Sequence, residues 1–486
     1  MKGKLNLKLW LPVTIIFWLI AIYFCRPAIN IASQTLLWTI VFYSLFSMMS
    51  ILITQDTWDE TWFNIAIGIN VVIAVIPIIL MIASSLLFNS KKYANIINVE
   101  TVSFEEAVQE EKIESVSLMD SKSALYLANR AAGQLDELAS QFDLSTVSTV
   151  AIDEKPVKLI PLKYASIGST FANNKTGVPG YIKVDPVKNK AEFVRLEQRM
   201  LYTPESYWNY KLSRHVYRNF PNDIQGKTFF ELDDDSNPKW IIQIIDKLVG
   251  ISGGKKPIGA FIIDPFTGTI EKYNLNDMPE WVDNVFSGND ISTLFGWYGK
   301  YQKGFFNATF GKKEGCRVTT DDFGYKVIGN DTFIYTGVTS VASDESNVGF
   351  LFANARTGEF KYFTAPGAEE YSAMDAANGA VANYGYQASF PSIVNINGMP
   401  VYVMVLKDEA GLIKKTAMVS VDLEKIVVKD TITACLNAYT KENKTDSNDY
   451  AIEYTADGEM MLEILDEEGA IIGTFKIQEG QGIRMK

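Results

Sequence analysis

The sequence predicts a membrane-anchored α+β protein. Three N-terminal transmembrane helices are followed by tandem helix-plus-antiparallel-meander units and a small C-terminal β module. Three observations carry this reading. Apolar stretches long enough to cross a bilayer lie in the first 90 residues, where charge is nearly absent. Beyond them the hydrophobic period switches between that of helices and that of strands. Hairpins of one composition then recur along the chain.

The chain has 486 residues, and positions 93–486 hold 39 basic against 54 acidic side chains, a net −15. An acidic body is badly suited to a phosphate backbone, which needs clustered Lys and Arg, so nucleic acid is not expected as a partner. One histidine (His215) and three cysteines (Cys25, Cys316, Cys435) are too few for a zinc finger or a His-rich metal site. No cofactor is called for.

Residues 1–92 read as the anchor. Its apolar stretches are Leu9–Cys25, Thr35–Ile53 and Ile65–Phe88, each long enough for a hydrocarbon core about 30 Å thick. Trp10, Trp58, Trp62 and Phe63 stand near the ends, where amphipathic rings favour the headgroup layer. Cys25-Arg26-Pro27 is no small-x-small site, so the first stretch is not expected to be cleaved. No charge falls inside a span, which argues against a proton relay or voltage sensor. Asn70 and Pro77 are candidates for packing or a kink in the third stretch. Lys2, Lys4 and Lys8 stand before the first span, against Arg26, Lys91 and Lys92 on the other side. Counting basic residues therefore leaves orientation tied.

Residues 93–120 are polar and rich in Glu and read as an acidic stalk. Residues 121–275 and 276–438 form two α+β regions. The first opens with a helical pattern over Ser121–Phe142, capped by Asp120 or Ser121. Strands at Ser145–Ile152 and Val157–Leu162 follow. Three hairpins then align without gaps: Gly180 to Val194 through Asp185, Gly259 to Tyr273 through Asp264, and Gly349 to Phe363 through Asn354. Asp or Asn opens each turn by bonding its own backbone, and Gly268 and Gly358 supply positive φ at the close of the second and third. Asp264, Gly268, Asn354 and Gly358 are thus the expected structural turn residues. A helix over Ala368–Tyr384 precedes strands at Ala388–Asn397, Met399–Leu406 and Leu412–Val421. Lys441–Asp449 reads as a polar linker inside the C-terminal β module, 439–486, whose turns are Asp457-Gly458 and Glu468-Gly469.

Helix plus meander with a D-P-x-T-G hairpin, best seen at Ile263–Gly268 and in Ala368–Val421, resembles the PepSY-type domain. Such domains lie on the outer side of bacterial membranes, bind envelope partners or restrain proteases, and have no catalytic motif. The segment order across 121–440 also resembles an uncharacterised family of multi-span proteins from Gram-positive bacteria. The matching words are Pro161–Tyr164, Gly177–Tyr181, Pro279–Asp283, Tyr335–Ser340 and Val405–Asp408. No activity carries over from that family. The resemblance implies an extracytoplasmic body and breaks the topology tie. The first hairpin lacks Thr-Gly and departs from the pattern.

Catalytic motifs are weak. Gly250-Ile251-Ser252-Gly253-Gly254 has nucleophile-elbow spacing, but the single His precedes it and Ile241–Val249 reads as helix rather than strand. His215 reads as a packing residue on an amphipathic helix over Glu205–Phe220. Asp233-Asp234-Asp235-Ser236-Asn237-Pro238 lacks the Gly and the final Glu of a calcium loop and reads as a solvated turn. Cys316 and Cys435 have the option of pairing if the body is outside. Trp297, Tyr298, Tyr301 and Phe305 are candidate binding aromatics for a peptide or glycan, against the alternative of an aromatic-filled β core. The expectation is a non-catalytic binding or scaffold protein on a lipid bilayer, with a protein partner in the envelope. A tethered hydrolase using Ser252 or His215 and a cytoplasmic-facing adaptor are the alternatives.

Overall fold

A computed structural model of the chain describes residues 7–53, 58–108, 116–133, 140–173, 175–312, 315–341, 343–446, 450–454, 460–465 and 471–477. The architecture is mixed α+β. Two helices, Gln34–Ile53 and Glu60–Ala83, are long and apolar enough to cross a membrane. The first stretch forms Leu7–Phe24 with Pro12 inside, and its part Pro12–Phe24 is a shorter apolar helix. The structure thus supports two crossing helices where the sequence predicts three. The long pair carries large apolar side chains outward, Phe42, Met49, Ile69 and Ile79 among them, as lipid-facing helices do and soluble core helices do not. Their polar groups are paired: Ser44 Oγ donates to Asn70 O at 3.0 Å, and Asn70 Nδ2 to Ala66 O at 2.9 Å. Phe17 stacks on Phe46, which holds the first helix against the second.

The body repeats one plan four times: a helix, then a four-stranded antiparallel meander. Unit 1 pairs strands 148–152, 155–164, 178–185 and 190–200. Unit 2 pairs 224–232, 238–249, 253–263 and 270–274. Unit 3 pairs 324–328, 331–340, 343–354 and 360–368. Unit 4 pairs 392–396, 399–407, 413–420 and 426–429. A fifth helix, Ile432–Asp446, and the strands 450–454, 460–465 and 471–477 complete the chain. The linker expected at Lys441 therefore begins as helix. The two tail turns, at Asp457 and Glu468, lie outside the described residues.

The likeness between units reaches the level of single bonds. Register is shared, Gly259 opposite Asn274 and Gly349 opposite Thr364. In units 1, 3 and 4 a short piece (142–144, 317–319, 387–388) lies beside the first strand on the same edge. At each break a Ser or Thr amide donates to the second strand: Ser145 to Pro161 O, Thr320 to Gly337 O, Ser389 to Val405 O. In the predicted hairpins, Asp185, Asp264 and Asn354 each accept two backbone N–H bonds through Oδ1. Gly268 (φ +78°) and Gly358 (φ +72°) close the later two, and Asn189 (φ +53°) takes that place in the first. Duplication of one unit accounts for this pattern better than convergent turn chemistry.

The sheets stack face to face in chain order. Trp240, Ile242 and Phe261 face unit 1, whereas Ile241 and Ile262 face unit 3. Tyr335, Phe350 and Phe352 of unit 3 then face unit 4. With both faces buried, these strands read as continuous apolar runs, which is why 241–249 resembles a helix in the sequence. The outer face of unit 1 is covered by the Ser121–Gly133 helix and that of unit 4 by Ile432–Asp446. The first strand of unit 1 approaches those of both unit 2 and unit 3, as in the up-and-down connectivity of propeller blades, so the stack curves into an arc.

Residues 93–120, read from the sequence as a stalk, are built into this arc where they are described. Val99–Thr101 adds a parallel edge strand to Phe360–Ala368. Phe104 and Val108 enter the core between units 3 and 4, Val116 that of unit 4, and Met119 that of unit 1. Sparse apolar residues hide this role, because they are shared among three cores.

Candidate functional site

The two ends of the arc meet at a polar clasp. Lys407 Nζ of unit 4 donates to Asp120 Oδ2 at 2.9 Å and to Ser123 Oγ at 2.8 Å. Asp120 also caps the Ser121–Gly133 helix, accepting from Ser123 N at 2.6 Å. Burial pushes the Asp120 carboxyl up, but Lys407 and the bonds from Ser123 outweigh it and hold the group below its usual range. Beside the clasp opens a cleft of about 680 Å³, reached by Tyr126, Phe323, Tyr325, Tyr371, Met374 and Phe390. Asp322, Asp408, Glu409 and Lys122 add charge to its walls. Burial raises Asp322, and burial followed by nearby carboxylates raises Tyr371. A cleft of this size that sets aromatic walls beside charged groups of both signs is large enough for a peptide side chain or a sugar ring.

Behind the cleft, Lys158 is wholly buried, with Nζ donating to Thr149 Oγ1 at 3.0 Å. Desolvation pulls its ammonium down to about 8. Strand alternation carries a signal here, since Lys158 shares a face with Ile160, but a lone lysine in a strand is easily taken for a solvent-facing one.

A second buried polar group ties three units together. Asp283 accepts from Ala151 N (2.8 Å) and Thr332 Oγ1 (2.7 Å), and its own N–H donates to Glu231 Oε2 (2.8 Å). Asn284 binds Glu231 Oε1 through N and Nδ2, and Thr149 O through Nδ2. Burial, then the Asp283 charge, pushes Glu231 well above the carboxylate range; burial does the same to Asp283. The Pro279–Asp283 word thus lands in a structural hub.

The nucleophile-elbow spacing has a different use. Gly250–Gly253 is the hairpin tip between strands 238–249 and 253–263, and it sits on the end of the third apolar helix. Ser84 Oγ accepts from Ile251 N at 2.9 Å and Ser252 N at 3.3 Å, while Gln34 Nε2 donates to Ser252 O at 3.2 Å. A Cβ on Gly253 would meet Ser84 O at 2.2 Å, so the glycine is needed for close approach. His215, on the helix Leu212–Asn219, donates through Nε2 to Gly268 O at 2.7 Å, since a carbonyl only accepts. Strand Gly253–Ile263 (11 residues) separates the two sites by roughly 33 Å at the usual rise. Ser252 and His215 therefore form no dyad.

The other sequence candidates fall away from the cleft. Asp233 Oδ1 is filled by the N–H groups of Asp235 and Asn237, and among the described residues no cluster suited to a metal exists. Cys316 and Cys435 are not joined in a disulfide and are buried in separate places, Cys316 beside Lys300 O and Cys435 beside Val427 O. Trp297 and Tyr298 pack on the core between units 2 and 3, Trp297 edge-on to Tyr93 at 4.8 Å. Tyr301 stacks on Phe305. None of the four lines the cleft. Sequence reasoning misses the aromatics that do, because they come from distant parts of the chain.

No family model matches the chain, and no curated protein does. Among solved structures, a levansucrase of B. megaterium is 10% identical, covering 79% of this chain and 94% of that one, with a TM-score of 0.21. An α-L-arabinofuranosidase from Lactobacillus brevis is 8% identical, covering 71% and 97%, with a TM-score of 0.18. Likenesses this low carry no argument about fold or activity.

Proposed function

We propose that the chain is a membrane-anchored, non-catalytic binding protein. Three helices cross the bilayer, and the extracytoplasmic body engages a protein partner of the envelope in the cleft at the mouth of the arc. The cleft carries the reading, because it joins aromatic walls to both signs of charge at a seam closed by polar bonds. The crossing number is supported by the helix ends. Tyr23 O and Pro27 O are bonded by Arg214 and Tyr217 of the body, Gln34 by Ser252, and Ser84 by Ile251. One helix end, one start and one further end thus reach the body, as an odd number of crossings requires. The basic residues beside the spans are tied, three against three, and the resemblance to domains on the outer side of the membrane favours an outside body. The PepSY-like reading enters through the Asp264–Gly268 hairpin and the binding role of such domains.

The test combines a C-terminal reporter active only outside the membrane with a photo-crosslinking side chain at Tyr371. The reporter should be active, and Tyr371 should give one discrete protein adduct that the same group at Asp235 does not. A silent reporter, or no adduct at Tyr371, would overturn the proposal.

A further inference from the structure

Exposed aromatics cluster where the chain leaves the membrane helices. The third apolar helix ends at Ala83, and Leu86–Ala94 follows after a short break, with Leu87 and Phe88 exposed. Ser90 Oγ of that helix accepts from Phe305 N at 3.0 Å, and Tyr93 meets Trp297. This fixes residues 305–311 beside the membrane exit. There Phe306 and Phe310 are 69% and 77% exposed and stack on one another. From Leu86 to Ser90 a helix rises only about 6 Å, which is within the headgroup layer of a bilayer.

Charge at this place opposes that of the body. Segments 86–94 and 296–312 hold Lys91, Lys92, Lys300, Lys303 and Lys312 and no acidic residue, although residues 93–486 carry a net −15. Aromatic rings with lysines and no acids are the composition of a surface that lies in a lipid headgroup layer. A second patch stands at the end of the first helix. Phe171 and Trp208 are exposed and pack edge-on at 4.9 Å. Arg214 ties them to that helix, with Nη1 donating to Trp208 O and the guanidinium over the Tyr23 ring at 4.1 Å.

We infer that Phe306 and Phe310, with Phe171 and Trp208 flanking the helices on the other side, insert into the headgroup layer of the membrane that holds the anchor, drawn there by the lysines to anionic lipid. The body then lies on its own bilayer in one orientation. The inference rests on the helices crossing a bilayer, and the experiment separates the two.

Full-length chain with Cys25→Ser is reconstituted in phosphatidylcholine vesicles, with and without phosphatidylglycerol. It carries an environment-sensitive fluorophore on Phe306→Cys, Phe310→Cys, Ile69→Cys or Asp235→Cys, one at a time. Labels at 306 and 310 should emit to the blue of 235 and be quenched most by nitroxide placed near the headgroup, with phosphatidylglycerol increasing both effects. Ile69 should be quenched most by nitroxide deep in the acyl chain. If 306 and 310 behave like 235 while Ile69 is quenched, the spans stand and this inference falls. If Ile69 also behaves like 235, the membrane reading itself falls.

Discussion

Three glycines separate two physical effects that a single substitution would mix. Gly358 closes the unit 3 hairpin at φ +72°, and a Cβ there would stand 2.4 Å from the ring of Phe286. That ring cannot yield, because Phe286 is fully buried and its N–H is bonded to Ala355 O. Gly385 has a similar φ, +66°, with nothing within 4 Å of a Cβ. Gly379 lies within the helix Glu370–Ala380, also with nothing within 4 Å. Alanine at Gly385 should therefore cost only the left-handed backbone, about 1–2 kcal/mol. Alanine at Gly358 adds an overpacking cost of about 1–3 kcal/mol, for a total of roughly 2–5 kcal/mol. Alanine at Gly379 should stabilise by about 0.5–1 kcal/mol, since helical glycine is entropically costly. Thermal midpoints of the full chain in detergent should rank Gly379→Ala above the wild type, then Gly385→Ala, then Gly358→Ala. A Gly358→Ala variant no less stable than Gly385→Ala would refute the claim that Phe286 is immovable and that the hairpin is locked to it.

Glu231, raised by burial and by Asp283, should contribute stability that is present at acidic pH and lost as pH rises above the ordinary carboxylate range of about 4. Glu231→Gln should be less stable than wild type near pH 5, where its amide opposes the Asp283 N–H, and the gap should close or reverse by pH 9; a constant gap in melting curves would count against a protonated Glu231. Lys158 works with the opposite sign, since its depressed value of about 8 means stability is lost as pH falls through that point. Lys158→Met should raise stability at neutral pH by on the order of 1–2 kcal/mol, with the advantage fading toward pH 10. A fragment 121–486 should melt well below 95–486 and aggregate. It lacks the edge strand at 99–101 and the buried side chains of Phe104, Val108, Val116 and Met119, each worth about 1.5–3 kcal/mol. Equal melting of the two fragments would return residues 95–120 to the role of a stalk.

Whatever depends on neighbours along the chain was legible in the sequence. Apolar runs of helical length, the Asx turns at Asp185, Asp264 and Asn354, the positive φ at Gly268 and Gly358, and the cap by Asp120 are all local, and all are present. Strands in units 1 and 4 are legible because turn residues bound short apolar runs, Asp153–Lys155 before Val157–Leu162 and Asn397-Gly398 before Met399–Leu406. In unit 2 the strand 238–249 runs for 12 residues with both faces packed, and it reads as helix. The rest depends on distant segments that meet in the fold. Asp120 and Lys407 are 287 positions apart and Ser84 and Ser252 168, and no local pattern marks residues that meet by closing an arc. The same holds for Gly250–Gly253. Its spacing suggests a nucleophile, yet what its glycines allow is close approach to a helix end, and only the position of Ser84 reveals it.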